Sequence, residues 1–270
     1  MRIWRKEEPE IVDGEVITGG MFEHQRAWWE LPNFIKALIA GYGGGKTFIG
    51  GKRMIAMSME NAPAPGLVVS PSYKMAKRTV IPMINALLSG KQSIHRDLWW
   101  KFNKTDHEYK IKWRGREAKI WVGSGDEPQS LKGPNIGNAW IDEPFIQAGG
   151  VLDEVLARVR DPAARLHEIL LTGTPEQLNW GYDICEGERQ DDYDVGIIHA
   201  HTAMNLALGS EYHERLLEAL TPEAAEAFLA GQFVNLAHGR TYYGFNRERN
   251  VVNLRDPLTE LHVGMDFNVN

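Results

Sequence analysis

The sequence predicts an α/β domain built around a largely parallel sheet, and three observations lead there. Short apolar segments alternate with helical patterns along the chain, the signature of strands joined by crossover helices. A glycine cluster sits at the junction of one such strand and helix. The composition, 43% hydrophobic and 24% charged over 270 residues, is that of a globular chain with ample core; it excludes collagen-like, low-complexity and mostly disordered classes. The single cysteine, Cys185, excludes a disulfide framework and a cysteine-based metal cluster. The opening residues, MRIWRKEEPEIVDGEV, carry no apolar stretch behind their basic ones, so they do not read as a signal peptide. No run approaches the roughly 18 apolar residues of a membrane helix. A soluble intracellular chain without a membrane partner is the expectation.

Each element follows from its local pattern. Phe34–Ala40 (FIKALIA) reads as a strand, and Lys46 to Glu60 as the helix after the glycines. Leu67–Ser70 is a second strand and Tyr73–Leu88 a second helix. Glu108–Trp113 and Ala118–Gly123, joined at Arg114–Arg116, read as a surface hairpin. Ala139–Asp142 and Glu168–Thr172 are further core strands, with Val195–Ala200 another. Ser210–Gly231 reads as helical, Thr221 supplying an N-cap and Pro222 a first-turn proline. The polar stretch 237–258 reads as a linker, and Leu261–Asn270 begins a new strand.

The strongest motif is AGYGGGKT, Ala40–Thr47, between a strand and a helix. Glycines let backbone amides face an anion, and a helix N-terminus adds partial positive charge. This predicts a P-loop in which Gly41, Tyr42, Gly43, Gly44, Gly45, Lys46 and Thr47 bind a nucleotide; Lys46 reaches the β- and γ-phosphates and the Thr47 hydroxyl binds Mg²⁺. The usual first glycine of the motif is Ala40 here. A P-loop needs a distant acidic partner, and IDE at Ile141–Glu143 supplies it: Asp142 to hold magnesium, Glu143 to polarise the attacking water of a hydrolase. Thr172, Gly173 and Thr174, at the tip of another core strand, suit sensing of the γ-phosphate. Gln25 in FEHQ can read the donor and acceptor on the edge of adenine, favouring ATP.

Charge is distributed unevenly. The net charge is −6, yet residues 74–119 carry 12 Lys and Arg against 4 Asp and Glu, while 120–270 carry 10 against 24. A basic block inside an acidic chain points to a polyanionic partner. The block interleaves with Tyr73, Trp99, Trp100, Phe102, Tyr109, Trp113 and Trp121. Strand alternation sets Lys110, Lys112 and Lys119 opposite Ile111, Trp113 and Ile120. Lys101, Lys104, Lys110, Lys112 and Lys119 are the candidate DNA contacts, against the alternative of a solvated strand face over an aromatic core.

Read together, the glutamine, the P-loop, VVSPSYKMAKRTV, SLKGPNIGNAWIDE and TGTPEQLNWGY resemble the large terminase subunit of tailed bacteriophages over roughly residues 20–185. The resemblance implies an ATPase of the additional-strand P-loop class, with a mainly parallel central sheet, flanking helices and a small C-terminal lid. It implies ATP and Mg²⁺ as cofactors and double-stranded DNA, a portal protein and a small terminase subunit as partners. It further implies self-association into a ring, a pentamer on the prohead, with the isolated chain able to be monomeric. The location it implies is the host cytoplasm and transiently the prohead portal, not the mature virion. The implied domains are a 1–194 ATPase core, a 195–236 lid, a 237–260 linker and a 261–270 first strand of an RNase H-like nuclease. Asp266 in HVGMDFN matches that fold's first metal-binding carboxylate; the remaining carboxylates would lie beyond Asn270, so a truncated chain without nuclease activity is expected.

Relatives often carry arginine where this chain has Tyr42, and again where it has Lys132. Arginine offers a planar fork that lysine cannot copy. The trans-acting cation that speeds phosphoryl transfer therefore falls to Lys132, Arg158 or Arg160. Two rival readings share the ATP site: a helicase-like DNA translocase, and an ATP-binding scaffold with little turnover.

Overall fold

The computed structural model describes residues 20–89 and 98–234, with the short strands β1 (Ile11–Val12) and β2 (Glu15–Val16) paired ahead of them. The remaining strands are β3 (Ile35–Ala40), β4 (Gly66–Ser70), β5 (Trp99–Asn103), β6 (Glu108–Trp113), β7 (Arg116–Ser124), β8 (Asn138–Asp142), β9 (Glu168–Gly173) and β10 (Val195–Ala200). They form one eight-stranded sheet in the order β10-β3-β9-β8-β4-β7-β6-β5. All neighbours from β10 to β7 are parallel, and β6 and β5 continue antiparallel. The helices are α1 (Glu23–Glu30), α2 (Lys46–Asn61), α3 (Tyr73–Ala76), α4 (Val80–Ser89), α5 (Val151–Leu156), α6 (Trp180–Cys185), α7 (Ser210–Ala219) and α8 (Pro222–Phe228).

Strand alternation divides the core into two. Leu38 and Ala40 of β3, Trp140 of β8 and Leu170 of β9 face α1, α2 and α4. Ile35, Ala37 and Ile39, then Ala139, Ile141, Ile169 and Leu171, face α5 and α6. Strands buried on both faces are what a parallel sheet between helical layers requires. Gly50 lets α2 lie directly on the sheet, because a Cβ there would stand 2.5 Å from the indole of Trp140.

Most predicted elements form as read, with four differences. The helix expected over Tyr73–Leu88 is broken by a turn at 77–79 into α3 and α4. The hairpin closes at Arg114 and Gly115, φ +48° and +75°, but it is no surface appendage. β7 pairs with β4, so the hairpin extends the main sheet and buries Tyr109, Ile111, Trp113, Ala118 and Ile120. β5, read only as part of the basic block, forms the outer edge. Val195–Ala200, grouped with the lid, pairs along its whole length with β3 and so belongs to the central sheet, and α7 and α8 after it lie in the same compact unit as that sheet. Thr221 caps α8 by accepting from Ala224 N at 3.3 Å, with Pro222 at its first turn, as expected. Residues 237–270, including the expected linker, the new strand and Asp266, lie outside the described residues.

A buried ion triad ties three elements behind the site. Glu168, at the start of β9, accepts two hydrogen bonds from Arg53 of α2 at 2.7 and 2.8 Å and pairs with Lys36 of β3 at 2.9 Å. Removing one partner of a buried ionic cluster leaves uncompensated charge in a low-dielectric interior. Glu168→Gln is expected to lower the unfolding free energy by about 3–5 kcal/mol, read from the urea midpoint. Glu117→Gln, which breaks the exposed pair with Lys112 on the hairpin, is expected to leave that midpoint unchanged.

Candidate active site

The carboxyl ends of β3, β8 and β9 converge where ligands bind in open α/β sheets, and each contributes one part of a site. After β3, Gly43 and Gly45 take left-handed conformations, φ +74° and +75°, which a side chain would strain. The loop then enters α2, whose first amides have no carbonyl partner within the helix, the general arrangement that lets a helix start hold an anion; of the loop's own amides, those of Gly41, Tyr42 and Gly44 donate to Ala200 O, Phe228 O and Gly41 O. Lys46 is buried and folds back, donating to Ala40 O at 3.1 Å and Gly41 O at 3.0 Å. Burial lowers its pKa, while Glu143, Asp142 and Glu176 act in the opposite sense.

The rear of the loop is braced by α1. His24 Nε2 lies 3.0 Å from Gly44 O, and Gln25 Nε2 donates to Gly45 O at 3.4 Å. The carbonyl partner requires the proton on Nε2, and burial lowers the pKa of His24, keeping it neutral. Gln25 Oε1 accepts from Phe22 N at 3.1 Å, and the residue is 2% exposed. Both ends of the predicted adenine reader thus bond to the protein in this conformation, where Gln25 stiffens the loop. A short motif cannot distinguish a side chain that reads a ligand from one that buttresses the loop holding it.

β8 ends in the two carboxylates. Asp142 is buried and its Oδ1 accepts from Thr172 Oγ1 at 3.1 Å; that hydroxyl in turn accepts from Trp140 Nε1 at 2.7 Å. The indole occupies the acceptor side of the hydroxyl and so directs its proton to Asp142. Gln147 Nε2 holds the backbone of Asp142, donating to its carbonyl at 2.6 Å. Glu143 takes φ +51°, a left-handed conformation that costs a non-glycine residue of order 1–3 kcal/mol and needs its surroundings to impose it. Glu143 N donates to Thr172 O at 2.7 Å, and its Oε2 accepts from Thr174 N at 2.8 Å. The structure therefore joins predicted Thr172 and Thr174 directly to predicted Asp142 and Glu143, while Gly173 leaves room for Phe145, which a Cβ there would approach to 2.7 Å. Burial raises the pKa of both carboxylates, with the Glu143 charge adding to the shift of Asp142. Glu176, unread in the sequence although it lies within TGTPEQ, is a third carboxyl of the group; burial and then Glu143 push its pKa up.

Residues after Ala200 pack against the loop. Tyr42 N donates to Phe228 O at 2.6 Å, Thr202 Oγ1 donates to Tyr42 O at 2.8 Å and Asn205 Nδ2 to Gly43 O at 2.5 Å. The Tyr42 ring stacks on Phe228 with centroids 4.6 Å apart. A Cβ on Gly41 would lie 2.5–2.6 Å from Leu229 O, Phe228 O and Thr202 Oγ1. Tyr42 is thus a packing residue between the loop and α8.

Other predicted residues lie elsewhere. Lys132 and Arg158 line a half-open cavity of about 210 Å³ with Tyr73 and Trp121. Arg158 is held by Glu154 at 3.0 Å, Lys132 reaches the same carboxylate at 3.8 Å, and Arg160 Nε donates to Asn135 at 2.9 Å. None of the three contacts Lys46, Asp142 or Glu143. Of the candidate DNA contacts, Lys101, Lys104, Lys110 and Lys112 are exposed and Lys119 half-buried on the outer sheet, and Lys101, Lys110 and Lys119 stand in one cross-strand row. The interleaved aromatics are mostly core: Tyr109 and Trp113 are buried, Trp100 and Phe102 pack beside Tyr109, and Trp99 and Tyr73 alone of the seven are exposed.

Asp142 is a buried carboxyl and Glu143 a half-buried one, both with raised pKa values, and this carries a stability consequence. Such groups bind protons more tightly folded than unfolded, so their contribution is present at low pH and is lost as pH rises through the folded values. Asp142→Asn is expected to raise the melting temperature of the ligand-free chain at pH 8, by roughly 2–4 °C per kcal/mol relieved. The gain should vanish near pH 4, about where an unfolded aspartate titrates, as followed by thermal melts across pH.

A family model described as terminase large subunit, T4-like-virus type, N-terminal, matches residues 37–249. Comparison with curated proteins finds no match. Among solved structures, the ADP complex of the large terminase from a thermophilic bacteriophage aligns at TM-score 0.69 and 18% identity, covering 86% of this chain and 58% of that one. The large terminase ATPase domain of Thermus phage P74-26 aligns at TM-score 0.57 and 15% identity, covering 79% and 94%. The HK97 bacteriophage large terminase aligns at 0.51 and 13%, covering 79% and 50%. At these identities the structural likeness establishes the fold, and this chain spans 58% of the length of the first of these relatives. With the family model covering most of the sequence, from β3 through α8, the chain belongs to the N-terminal family of T4-like-virus-type large terminase subunits.

Proposed function

We propose that this chain is the ATP-hydrolysing motor part of a machine that drives double-stranded DNA into viral proheads. The observation that carries the reading is the junction of loop Gly41–Thr47, Asp142, Glu143 and Thr172–Thr174 at the ends of three adjacent parallel strands. The large terminase of the thermophilic bacteriophage has been solved with ADP and with ATP-γ-S, which supports a nucleotide as ligand.

The residues fit a magnesium nucleotide. Thr47 and Asp142 offer the hard oxygen donors that Mg²⁺ takes alongside phosphates and water. Asp142 is a buried carboxyl whose ionised form a bound cation would favour. When bound, Mg²⁺ neutralises and orients the phosphate oxygens. Lys46 leaves the carbonyls of Ala40 and Gly41 to pair with the phosphates. Glu143 Oε2 is held by Thr174 N, leaving Oε1 to accept a proton from the attacking water. Loss of the γ-phosphate is then felt through Thr172 and Thr174, which touch both carboxylates.

The lysine row supports DNA as the moved substrate. Like charges directly opposite one another on a sheet are destabilising, a cost that a phosphate backbone relieves with release of counterions. In this reading the chain works in the host cytoplasm as a pentameric ring on the portal, fed by a small terminase subunit, and leaves before the virion matures. Lys132 and Arg160, more exposed than Arg158, are the better placed to reach a neighbour's nucleotide.

The test is ATP turnover against protein concentration with Glu143→Gln as control. A rise steeper than linear, and a loss of about 10²–10⁴-fold in the variant with nucleotide binding retained, is expected. Nucleotide binding without turnover at any concentration, with duplex DNA present, would favour the scaffold reading. Separately, Lys101→Glu with Lys110→Glu and Lys119→Glu is expected to weaken duplex binding and to flatten its log–log salt dependence by about 0.9 per lost phosphate contact, with ADP affinity unchanged. An unaltered salt slope, measured by fluorescence anisotropy, would remove this face from the DNA path.

A further inference from the structure

We infer that Asn179 is a positioning residue for Glu143, one that clamps the turn after β8 from the segment following β9; the inference rests on the reading of Glu143 as the residue that activates water. The turn from Glu143 to Gln147 bends sharply, with Glu143 left-handed and Pro144–Ile146 in a 3-10 turn. Asn179 Nδ2 donates to Pro144 O at 3.0 Å and to Gln147 O at 3.1 Å, gripping both ends of that turn. Its Oδ1 accepts from Gly181 N at 3.0 Å and caps α6, so the amide is anchored by the helix it starts. Trp180 Nε1 adds a second donor to Gln147 O at 3.1 Å.

Packing gives the clamp its purchase. Phe145, at the centre of the turn, is fully buried between Gly173 and Gly181; a Cβ on either would approach its ring to 2.7 or 2.9 Å. The turn is thus a tongue held between β9 and α6, with Asn179 fastening its rim. A strained backbone keeps its conformation only when its surroundings over-determine it, and the first strand-end bonds, from Glu143 N and Thr174 N, fix one end of the turn only. Asn179 ties that end to the other, where Trp180 Nε1 and the Gln147 side chain also bond. Only a side chain with two donors and one acceptor in a planar group makes all three bonds; aspartate, the same size, would set a carboxylate against two carbonyls. The side chain itself does not touch the phosphate-binding loop, so its effect should fall on geometry at Glu143 and not on nucleotide affinity.

The experiment compares Asn179→Asp, Asn179→Ser and Glu143→Gln in this chain. Both Asn179 variants keep a capping oxygen for α6, and serine guards against the chance that aspartate prevents folding. Hydrogen exchange of the amides between Glu143 and Gln147 is expected to quicken, with the phosphate-loop amides unchanged. Turnover should fall about 10- to 100-fold at unchanged KM for ATP and unchanged ADP affinity, the size expected when a reacting group is displaced by about an ångström. Unchanged exchange at the turn overturns the inference, as does a joint fall of turnover, ADP affinity and melting temperature. Full turnover in Glu143→Gln would instead overturn the water-activating reading, and the exchange measurement separates the two failures.

Discussion

The rest of this structure depends on holding two carboxyl groups, one buried and one half-buried, side by side at the end of a parallel strand. Asp142 and Glu143 are adjacent in sequence, so the chain cannot separate their charges by distance; it manages them by local geometry. The left-handed backbone at Glu143 turns its carboxylate toward Thr174, while Asp142 is met by a hydroxyl and by the backbone hold of Gln147. Lys46 is the opposing charge, itself starved of solvent. Burial therefore opposes the charged form of each of these groups in the ligand-free chain, a cost that the magnesium nucleotide proposed above would offset. Binding sites held in this condition trade stability for readiness.

The scaffold that enforces this is ordinary by comparison. Parallel strands with apolar side chains on both faces could be read directly, because period-two burial and glycine punctuation are local signals. The loop, Asp142 and Glu143, and Thr172–Thr174 were visible for the same reason: each is a short string at a strand end. The structure adds the contacts between them, and those join positions about thirty residues apart.

What the sequence concealed was of two kinds. Some side chains have roles that local spacing cannot assign, such as His24 and Gln25 bracing the loop, or Trp140 aiming the hydroxyl of Thr172. Others depend on which strand neighbours which. The basic hairpin alternates as a surface ribbon would, yet β7 continues the central sheet beyond β4, so its inner face is core and most of its aromatics are packing residues. The place of Val195–Ala200 in the sheet was hidden likewise, since nothing within VGIIHA says that it will lie along β3. Tyr42, predicted in the nucleotide loop, uses its ring against Phe228.

The position of β5 has a consequence of another sort. Among the described residues it is the last strand of the eight-stranded sheet, and its outer rim has no strand partner there to take its amides and carbonyls. Trp99 is half exposed there, an apolar invitation to such pairing. Lys101 on the same strand and Lys104 in the turn that follows put positive charge along the rim, so a second copy arriving edge to edge would meet its own sign. The lysines proposed to meet a nucleic acid thus also oppose edge-to-edge approach of a second copy, one set of charges serving both ends.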